Sequence, residues 1–401
     1  MRRKFVLRSR SGRAVVVVSS LAITATTLLI GAPMAEGAAS TASAWVPIST
    51  PYNAFHIAAS TLAGVSCPPD AGRYCLAVGA QTLSQADAPD QPLTELWTGS
   101  WKIVPTPTVS SNSSRLVSVS CSSKTYCMAV GDSAPGGPWA QLWNGTSWTV
   151  TAPLASIPGG FTVQSVSCVS TNCIAAGVGG DISDNNSIAA AESWNGTTWA
   201  SDSPTSPGEL SGVSCSNSGQ CLGVGQLPPG TGATALADWF NGTWSPASPP
   251  NTPALGGVDC VKAAQTCMAV GGNYTYSSLT ASLWDGSSQS WTPTTPILPT
   301  GFARPAFLGV SCPTTGLCVG LGTGLTGTQH ATTPVIEAWN GSNWALMNTK
   351  RVAPSGLTAG VEFNSVSCPS ATFCMTVGWR QPLYTTNFEA LPDSAYWGTL
   401  P

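Results

Sequence analysis

Apolar and polar positions recur along this chain in units of 45 to 56 residues. Each unit opens with an apolar stretch that ends in Val-Ser-Cys or Val-Asp-Cys. After four to seven residues, a second cysteine starts another apolar stretch, which ends at a glycine. A variable segment, a stretch that ends at tryptophan, a short turn and a second tryptophan complete the unit. Stretches of this kind, bounded by turn residues, are typical of β-strands. The pattern predicts four short strands, A to D, in each unit.

The unit occurs seven times, and we number the units 1 to 7 in chain order. Their first cysteines are Cys67, Cys121, Cys168, Cys215, Cys260, Cys312 and Cys368. The link between strands C and D is Asn-Gly in four units, and this dipeptide favours tight hairpins. Four antiparallel strands repeated at this period are typical of a β-propeller. We therefore predict an all-β fold, a seven-bladed β-propeller with four antiparallel strands per blade.

The small and large residues of the unit predict how the blades pack. Serine or glycine stands three residues before each first cysteine, as expected for strands that crowd at the axis. Farther out the blades diverge, and we expect the tryptophans of strands C and D to pair and fill the wider space. Strand C ends on Trp97, Trp143, Trp194, Trp239, Trp284, Trp339 or Trp397, and strand D begins with Trp101, Trp148, Trp199, Trp244, Trp291 or Trp344.

The two ends of the chain predict how the ring closes. Unit 7 stops at Trp397–Pro401 without a strand D. Residues 45–51 match the strand D segment that begins at Trp148. We expect residues 45–51 to form the outer strand of the last blade, so that no blade is left with an unpaired edge.

The fourteen cysteines fall into seven local pairs with none left over. Zinc is the alternative to disulfides. It commonly takes four ligands with C-x-x-C spacing, whereas each unit offers two thiols and the whole chain has two histidines. We expect one disulfide per blade, between strands A and B. The predicted pairs are Cys67–Cys75, Cys121–Cys127, Cys168–Cys173, Cys215–Cys221, Cys260–Cys267, Cys312–Cys318 and Cys368–Cys374.

The first 44 residues have the features of a signal peptide. Basic residues precede an apolar run from Ala14 to about Ala32, and Ala42-Ser43-Ala44 fits a cleavage site. An uncleaved anchor is the alternative, because the run is just long enough to span a bilayer. We predict a signal peptide at 1–44 and a single propeller domain at 45–401. The mature protein would be secreted and extracellular, with no membrane contact unless the signal is retained.

Charge narrows the range of partners. Charged residues make up 8% of the chain, against roughly 25% in an average domain. Without residues 1–44 the chain has nine basic and 17 acidic residues, a net charge of −8. No basic patch is present, so nucleic acid is a poor candidate partner. We predict no cofactor and no metal, and we expect a monomer.

The strand B glycine, strand C, the short turn and the strand D tryptophan resemble a kelch repeat. The resemblance is clearest in Met268–Gly272, followed by Leu283–Gly286 and Trp291. The chain also resembles secreted propellers of actinobacteria and related bacteria, whose blades carry V-S-C, C-x-A-V-G and W-N-G-T-x-W segments. This resemblance covers the whole mature chain. It implies a propeller fold and implies no particular activity.

The faces of a propeller differ in what they can bind. The A–B and C–D turns share one face, which here would hold the disulfides and the Asn-Gly turns. The B–C and D–A loops share the other face, where the sequence varies and where binding usually resides. Six residues before each first cysteine stand Thr61, Arg115, Thr162, Glu209, Ala254, Ala306 and Glu362. Arg115, Glu209 and Glu362 are candidate ligand-binding residues of a central pocket on this variable face; the alternative is a solvated channel rim.

The B–C loops add further candidate ligand-binding residues. Trp139, and Trp379 beside Arg380, would be placed to stack on a sugar ring, and packing at a blade edge is the alternative. Asp181 and Asp184 lie in an oxygen-rich run that is able to hold calcium but lacks the spacing of a known calcium loop. A solvated turn is the alternative there.

These features favour a secreted, non-catalytic propeller that binds an extracellular glycan or protein through the variable face. The alternative is a glycan-active hydrolase or lyase with Glu209, Glu362 and Arg115 at the channel mouth, because a glycosidase needs two apposed carboxylates. No GxSxG, HExxH or phosphate-loop motif occurs in the sequence, so no other catalytic residues are predicted.

Overall fold

The computed structural model describes residues 45–49, 57–69, 71–83, 88–107, 109, 113–151, 154, 157, 159–180, 187–217, 219–228, 234–249, 252–262, 264–273, 278–326, 331–349, 358–382 and 391–397. None of these ranges contains a helix long and apolar enough to cross a membrane. The predicted signal peptide at 1–44 lies outside the described residues, as do Asp181 and Asp184.

The described residues form 28 strands. The outer strand β1 is Val46–Ser49, and units 1 to 3 supply β2 (Ile57–Ser66), β3 (Cys75–Leu83), β4 (Asp90–Trp97), β5 (Trp101–Ile103), β6 (Ser114–Ser123), β7 (Tyr126–Ser133), β8 (Gly137–Trp143), β9 (Trp148–Val150), β10 (Phe161–Val169), β11 (Asn172–Gly179), β12 (Ile188–Trp194) and β13 (Trp199–Ser201). Units 4 and 5 supply β14 (Glu209–Asn217), β15 (Gln220–Gln226), β16 (Ala235–Asn241), β17 (Trp244–Pro246), β18 (Leu255–Cys260), β19 (Thr266–Asn273), β20 (Ser278–Asp285) and β21 (Ser290–Thr294). Units 6 and 7 supply β22 (Phe302–Thr314), β23 (Leu317–Thr326), β24 (Ala331–Trp339), β25 (Trp344–Leu346), β26 (Thr358–Ser370), β27 (Phe373–Pro382) and β28 (Leu391–Trp397).

Within the described residues, hydrogen bonds connect these strands into six sheets. Units 1 to 5 each form one sheet of four antiparallel strands in chain order. Units 6 and 7 share a single sheet of eight strands, in the order β1-β28-β27-β26-β24-β23-β22, with β25 paired to β24. Counted by sheet, the propeller has six blades, so the prediction of seven separate blades is wrong.

A single parallel pairing joins the two halves of the eight-stranded sheet. Thr332 of β24 pairs with Gly360 of β26. Strand β26 has 13 residues, against nine or ten in β2, β6, β10 and β14, so it reaches farther along the sheet. A Cβ on Gly360 would lie 3.3 Å from the Thr332 Cβ, so the glycine permits this close approach. A contact between two units has no signature in the repeat itself, which is why counting repeats overestimates the number of sheets.

The innermost strands close a ring. Each first strand contacts the first strand of the next unit, in the order β2, β6, β10, β14, β18, β22 and β26, and β26 contacts β2. Strand β1 pairs antiparallel with β28, with Val46 opposite Tyr396. This is the pairing predicted from the two chain ends. Trp45 is fully buried beside Phe363, so the N-terminal segment belongs to the core of the last sheet.

A β-bulge in every inner strand accompanies the glycine of the facing strand B. In unit 1 the register shifts between Leu62 and Gly64, which leaves Ala63 without a partner. A Cβ on Gly79 would lie 1.9 Å from the carbonyl oxygen of Thr61. The same clash, at 1.9 to 2.2 Å, would occur at Gly131, Gly177, Gly225, Gly271, Gly322 and Gly378. Since no side chain fits there, the strand B glycine is required by the approach of the two backbones.

The core is divided into clusters that each lie between two successive units. In five units the predicted tryptophan pairs of strands C and D are present, with ring centroids 5.1 to 5.7 Å apart. Unit 4 departs from the prediction. There Phe240, which lies opposite Cys221, pairs with Trp244 at 5.2 Å. Trp239 packs instead against Trp284 of unit 5 at 5.9 Å.

All seven predicted disulfides are present, and no free cysteine occurs among the described residues. They connect strands A and B of the same unit, with Cα atoms 3.9 to 4.1 Å apart. In unit 2, for example, Cys121 lies directly opposite Cys127 in the β6–β7 register. Each disulfide therefore clamps one hairpin next to the axis.

Candidate functional site

The residue before each first cysteine links one unit to the next. The backbone N–H of Cys121 in unit 2 donates to the hydroxyl of Ser66 in unit 1 at 2.9 Å. The same bond recurs around the whole ring at 2.6 to 3.0 Å, from Cys168 to Ser120, Cys215 to Ser167, Cys260 to Ser214, Cys312 to Asp259, Cys368 to Ser311 and Cys67 to Ser367. The Val-Ser-Cys motif thus builds a closed ring of hydrogen bonds between units.

A second, incomplete layer of hydrogen bonds lies three residues before the cysteines. The hydroxyls of Ser118, Ser165 and Ser365 accept from the valine N–H of the following unit at 3.2 Å. Glycine takes the serine position in the other four units. At Gly257 a Cβ would lie 2.8 Å from the Cα of Gly309, so that junction has no room for a side chain. The crowding predicted at the axis is therefore real at this junction.

The end of the channel beside the disulfides carries one charged pair that the sequence reasoning missed. A cavity of about 260 Å³ there is lined by the valine and the serine or aspartate of the motif in all seven units, together with Lys262. Asp259 accepts from the Cys312 N–H at 2.6 Å and from the Ser214 hydroxyl at 3.2 Å. Burial raises the pKa of Asp259, against the lowering effect of its hydrogen bonds and of Lys262. Six units carry serine one residue before the first cysteine, and unit 5 carries Asp259. This difference could have identified Asp259 from the sequence.

Lys262 lines this cavity beside Asp259. Its ammonium group donates to the carbonyl oxygen of Cys215 at 2.9 Å. Desolvation lowers the pKa of Lys262, and the charge of Asp259 partly restores it. The lysine and the aspartate are therefore the two ionisable side chains in a cavity otherwise lined by serine, valine, cysteine and proline residues.

Toward the variable face, the bulged residues line the axis. A cavity of about 180 Å³ lies between the inner strands. The residues four before the first cysteines line it: Ala63, Val117, Gln164, Ser211, Gly256, Leu308 and Asn364. The bulges change the register of each inner strand at this point, and bulges commonly redirect a side chain. Sequence reasoning selected the position six before the cysteine and overlooked this one, because a bulge cannot be read from the repeat.

The three predicted charged residues belong to three different units and have different partners. The Glu209 carboxylate accepts from the side-chain amides of Gln226 at 2.7 Å and Gln164 at 3.3 Å. Arg115 is exposed and lies opposite Asp132, whose pKa is raised by burial and lowered by the Arg115 charge. No hydrogen bond within the described ranges brings Arg115, Glu209 and Glu362 together.

Glu362 lies opposite Trp379 in the β26–β27 pair. Burial raises the pKa of this half-buried carboxyl group. Trp379 and Arg380 are also half-buried, on the strand that follows the unit 7 disulfide. Glu362 and Trp379 therefore share one face of the sheet, while Arg380 is on the alternate position of the strand.

Trp139 does not present a face for stacking. Its side chain is only 5% exposed and packs in the cluster that contains Trp143 and Trp148. It lies opposite Gly131, the strand B glycine of unit 2, which leaves room for the indole. Among the two interpretations of this residue, the structure favours packing at the blade edge.

A row of buried polar side chains also escaped the sequence reasoning. They stand two residues before the aromatic residue that ends strand C: Glu95, Gln141, Glu192, Asp238, Ser282 and Glu337. The linker that precedes each sheet supplies partners in two cases. The Ser206 hydroxyl donates to Asp238 at 2.7 Å, and the Ile297 N–H donates to Glu337 at 2.9 Å. Burial raises the pKa of Glu95 to about 8 and that of Glu337 to about 7.

Two of these buried carboxyl groups, Asp238 and Glu337, bind the linker that precedes their sheet. Each belongs to a different unit, and no group of three or more metal-ligating side chains occurs among the described residues. In five units the polar residue stands two positions before the strand C tryptophan, and that spacing was the signal in the sequence that would have found them. In unit 4 the spacing is counted from Phe240.

Comparison with known proteins finds structures of similar fold and no match by sequence. No protein-family model matches the chain, and no curated protein matches it. Three solved structures are similar over most of their length. YCF48 from Cyanidioschyzon merolae has a TM-score of 0.52 at 12% identity over 89% of this chain and 99% of its own. The RRP9 WD40 repeats give 0.56 at 10% over 89% and 98%, and U3-55K gives 0.53 at 10% over 84% and 95%.

At these identities the similarity defines the fold alone. The chain is a β-propeller built of four-stranded antiparallel units. A fold of this kind does not by itself define a function, which depends on the residues of a particular site.

Proposed function

We propose that this protein is a secreted, non-catalytic propeller that binds a protein ligand through the face formed by its B–C and D–A loops. The observation that carries the proposal is the bulged position four residues before each first cysteine. The valine two before the cysteine never changes, and serine stands one before it in six units. The bulged position, in contrast, has seven different residue types in seven units.

This contrast has a direct physical meaning. The constant positions make the bonds and contacts that hold the ring together. The bulged residues line a single cavity on the axis, where each contributes a different size and polarity. Ser211 adds a hydroxyl group and Leu308 an apolar one, whereas the side-chain amides of Gln164 and Asn364 donate to Glu209 and to the Leu62 carbonyl. A rigid scaffold that surrounds one cavity with individual side chains suits recognition.

Secretion is proposed on two grounds. Residues 1–44 have the composition of a signal peptide. The seven disulfides would persist only in an oxidising compartment, because the cytosol keeps thiols reduced.

Protein and glycan arrays probed with residues 45–401 test the proposal. We expect binding to a protein, with affinity at least tenfold lower for Ser211→Trp, which fills the axial cavity. Val150→Ser, at an exposed position on the outer strand β9, is the matched control and should bind normally. Binding that Ser211→Trp leaves unchanged would contradict the proposal.

The same arrays separate the other ligand classes. Binding to glycans and to no protein would show that the ligand is a carbohydrate and that the proposed protein ligand is wrong. Turnover of a polysaccharide that Glu362→Gln abolishes would support the hydrolase alternative. The arrangement of Glu209 argues against that alternative, since two amide groups already occupy its carboxylate.

A further inference from the structure

A tyrosine closes the groove between units 1 and 2 on the disulfide face. Tyr74 directly precedes the second cysteine of unit 1. Its hydroxyl accepts from the Trp143 indole N–H at 2.8 Å and donates to the Lys124 carbonyl at 3.0 Å. The ring packs, partly buried, against the core cluster between these units, next to Leu96. The phenol thus bridges two neighbouring sheets.

Units 2 and 3 repeat this arrangement. Tyr126 precedes the second cysteine of unit 2, and its hydroxyl accepts from the Trp194 indole N–H at 2.9 Å. It donates to the Thr171 carbonyl at 2.7 Å. Leu142 packs against the same core cluster as Tyr126, as Leu96 and Tyr74 share one in the preceding groove. Two successive grooves therefore contain the same three components, a tyrosine, a leucine and an indole.

The groove between units 3 and 4 lacks all three components. Asn172 stands in the tyrosine position and Ser193 in the leucine position. Phe240 stands in the tryptophan position, because it lies opposite Cys221 as Trp194 lies opposite Cys173. Each replacement either shortens the side chain or removes the indole N–H.

A cavity of about 190 Å³ opens at this place. We call it the unit 3–4 pocket. Its apolar part is formed by Ile174, Trp194, Phe240 and the Cys215–Cys221 disulfide. Its volume is below the 300–1,000 Å³ that is usual for drug-sized ligands, and it suits a single side chain.

The polar side of the pocket is suited to a hydroxyl group. Asn172 and Asp202 both line it, and the Ser193 hydroxyl interacts with the Asp202 carboxylate. Burial raises the pKa of Asp202, and the hydrogen bond from Ser193 lowers it. The hydroxyl of an entering phenol would meet the side chains of Asn172 and Asp202. In the sister grooves the hydroxyls of Tyr74 and Tyr126 bind a backbone carbonyl and an indole N–H instead.

We propose that the unit 3–4 pocket binds a tyrosine side chain presented by a protein partner. The sister grooves of the same chain show which occupant fits, because each holds a tyrosine between the same two strands of adjacent sheets. Aromatic side chains that fill such pockets are frequent anchors of protein interfaces. The pocket lies on the disulfide face, opposite the axial surface proposed above. A negative result at one of the two sites therefore does not test the other.

The first test uses p-cresol, the analogue of a tyrosine side chain, in an NMR titration of residues 45–401. We expect saturable binding with a Kd on the order of 1 mM, as is reasonable for a fragment of this size. Toluene, which lacks the hydroxyl, should bind several-fold more weakly. Absence of saturable p-cresol binding, or equal binding of toluene, would overturn the assignment to a phenol.

The second test refills the pocket with the residues of the sister grooves. The variant Asn172→Tyr with Phe240→Trp should lose p-cresol binding while its unfolding midpoint stays the same or rises. Thr266→Tyr places a tyrosine at the same position of unit 5 and is the matched control, which should still bind. Ser193→Leu restores the sister leucine alone and gives an independent loss of binding if the double variant does not fold. Binding that survives refilling would place the site elsewhere and overturn the proposal.

The third test asks whether a polypeptide can present the tyrosine. N-acetyl-tyrosinamide carries the side chain on a peptide backbone without terminal charges. We expect it to bind at least as tightly as p-cresol and to compete with it. If p-cresol binds and N-acetyl-tyrosinamide does not, the pocket admits a free phenol only, and the proposed protein partner is wrong.

Discussion

The backbone N–H of Cys312 donates to a carboxylate oxygen of Asp259 at 2.6 Å, where the other units use a serine hydroxyl. The second carboxylate oxygen accepts from the Ser214 hydroxyl, which itself accepts from the Cys260 N–H. Asp259 thus connects units 4, 5 and 6. The ring of hydrogen bonds stays closed although one member is a carboxylate.

Removal of this acceptor should destabilise the ring. We expect Asp259→Ala to lower the free energy of unfolding by about 1–3 kcal/mol, because two buried donors lose their partner. Asp259→Ser restores the residue of the other units and should cost less. Urea unfolding of both variants with disulfides intact checks this. Equal losses for alanine and serine would show that the bond to Cys312 contributes nothing.

Two glycines on the axis should respond in opposite ways to serine. At Gly257 a Cβ would lie 2.8 Å from backbone atoms of the next unit, whereas at Gly309 it would meet nothing within 4 Å. Gly257→Ser should therefore destabilise the fold by about 1–3 kcal/mol through overpacking. Gly309→Ser adds a hydroxyl like that of Ser365 and should stabilise it by about 0.5–1.5 kcal/mol.

The two glycine variants serve as controls for each other in thermal unfolding. A lower midpoint for Gly309→Ser than for the parent would contradict the inferred hydrogen bond. An unchanged midpoint for Gly257→Ser would show that neighbouring inner strands separate more easily than their contact indicates.

The buried carboxyl group of Glu95 should make stability depend on pH. Its folded-state pKa, raised by burial to about 8, lies above the ordinary value of 4.5. Its contribution is therefore fully present below about pH 4.5 and is lost as the pH rises to about 8. The slope is at most about 1.4 kcal/mol per pH unit. Glu95→Gln, which copies Gln141 of unit 2, should flatten the dependence.

Urea midpoints between pH 5 and pH 8 measure this effect. Gln141→Glu is the reverse substitution and should steepen the fall with rising pH. Identical slopes for the parent and Glu95→Gln would mean that Glu95 ionises normally in the folded protein.

The N-terminal strand should be essential to the last sheet. Trp45 is fully buried, and replacement of a buried tryptophan with alanine typically costs 3–5 kcal/mol. We expect Trp45→Ala to lower the free energy of unfolding by about that amount. A start at residue 50 should do at least as much, because it also leaves β28 without its partner β1. Ile103→Ala, at a position 51% exposed, should change stability by less than about 0.5 kcal/mol.

Circular dichroism and limited proteolysis check this prediction. Normal stability of the chain that starts at residue 50 would show that the pairing of β1 with β28 does not hold the ring closed.

Much of the scaffold could be predicted because it is local and repeated. The cysteine pairs, the tight Asn-Gly turns and the short strands depend on neighbours within one unit. The repeat shows them seven times, and all seven disulfides are confirmed. The pairing of residues 46–49 with the last strand could also be inferred, since the missing strand of unit 7 has a copy at the other end.

The candidate site was harder to predict, because it depends on contacts between units. Because each inner strand has a bulge, the residues that line the axial cavity stand four positions before the first cysteine, as Gln164 does. The sequence reasoning had chosen the position six before it, as in Glu209. One parallel pair, Thr332 with Gly360, merged two predicted blades into one sheet. The unit 3–4 pocket became visible only when Asn172 and Phe240, 68 positions apart in the chain, were seen to face one groove.

The sequence alone determined the strands, the turns, the disulfides and the pairing of the first strand with the last. These features depend on short-range hydrogen bonds and turn chemistry, or on a repeat that shows which strand is missing. The number of sheets, the residues that reach the axis and the grooves left open between sheets were decided by the folded ring. These features arise where backbones of different units approach within a few ångströms, and such distances are set by packing of the whole domain.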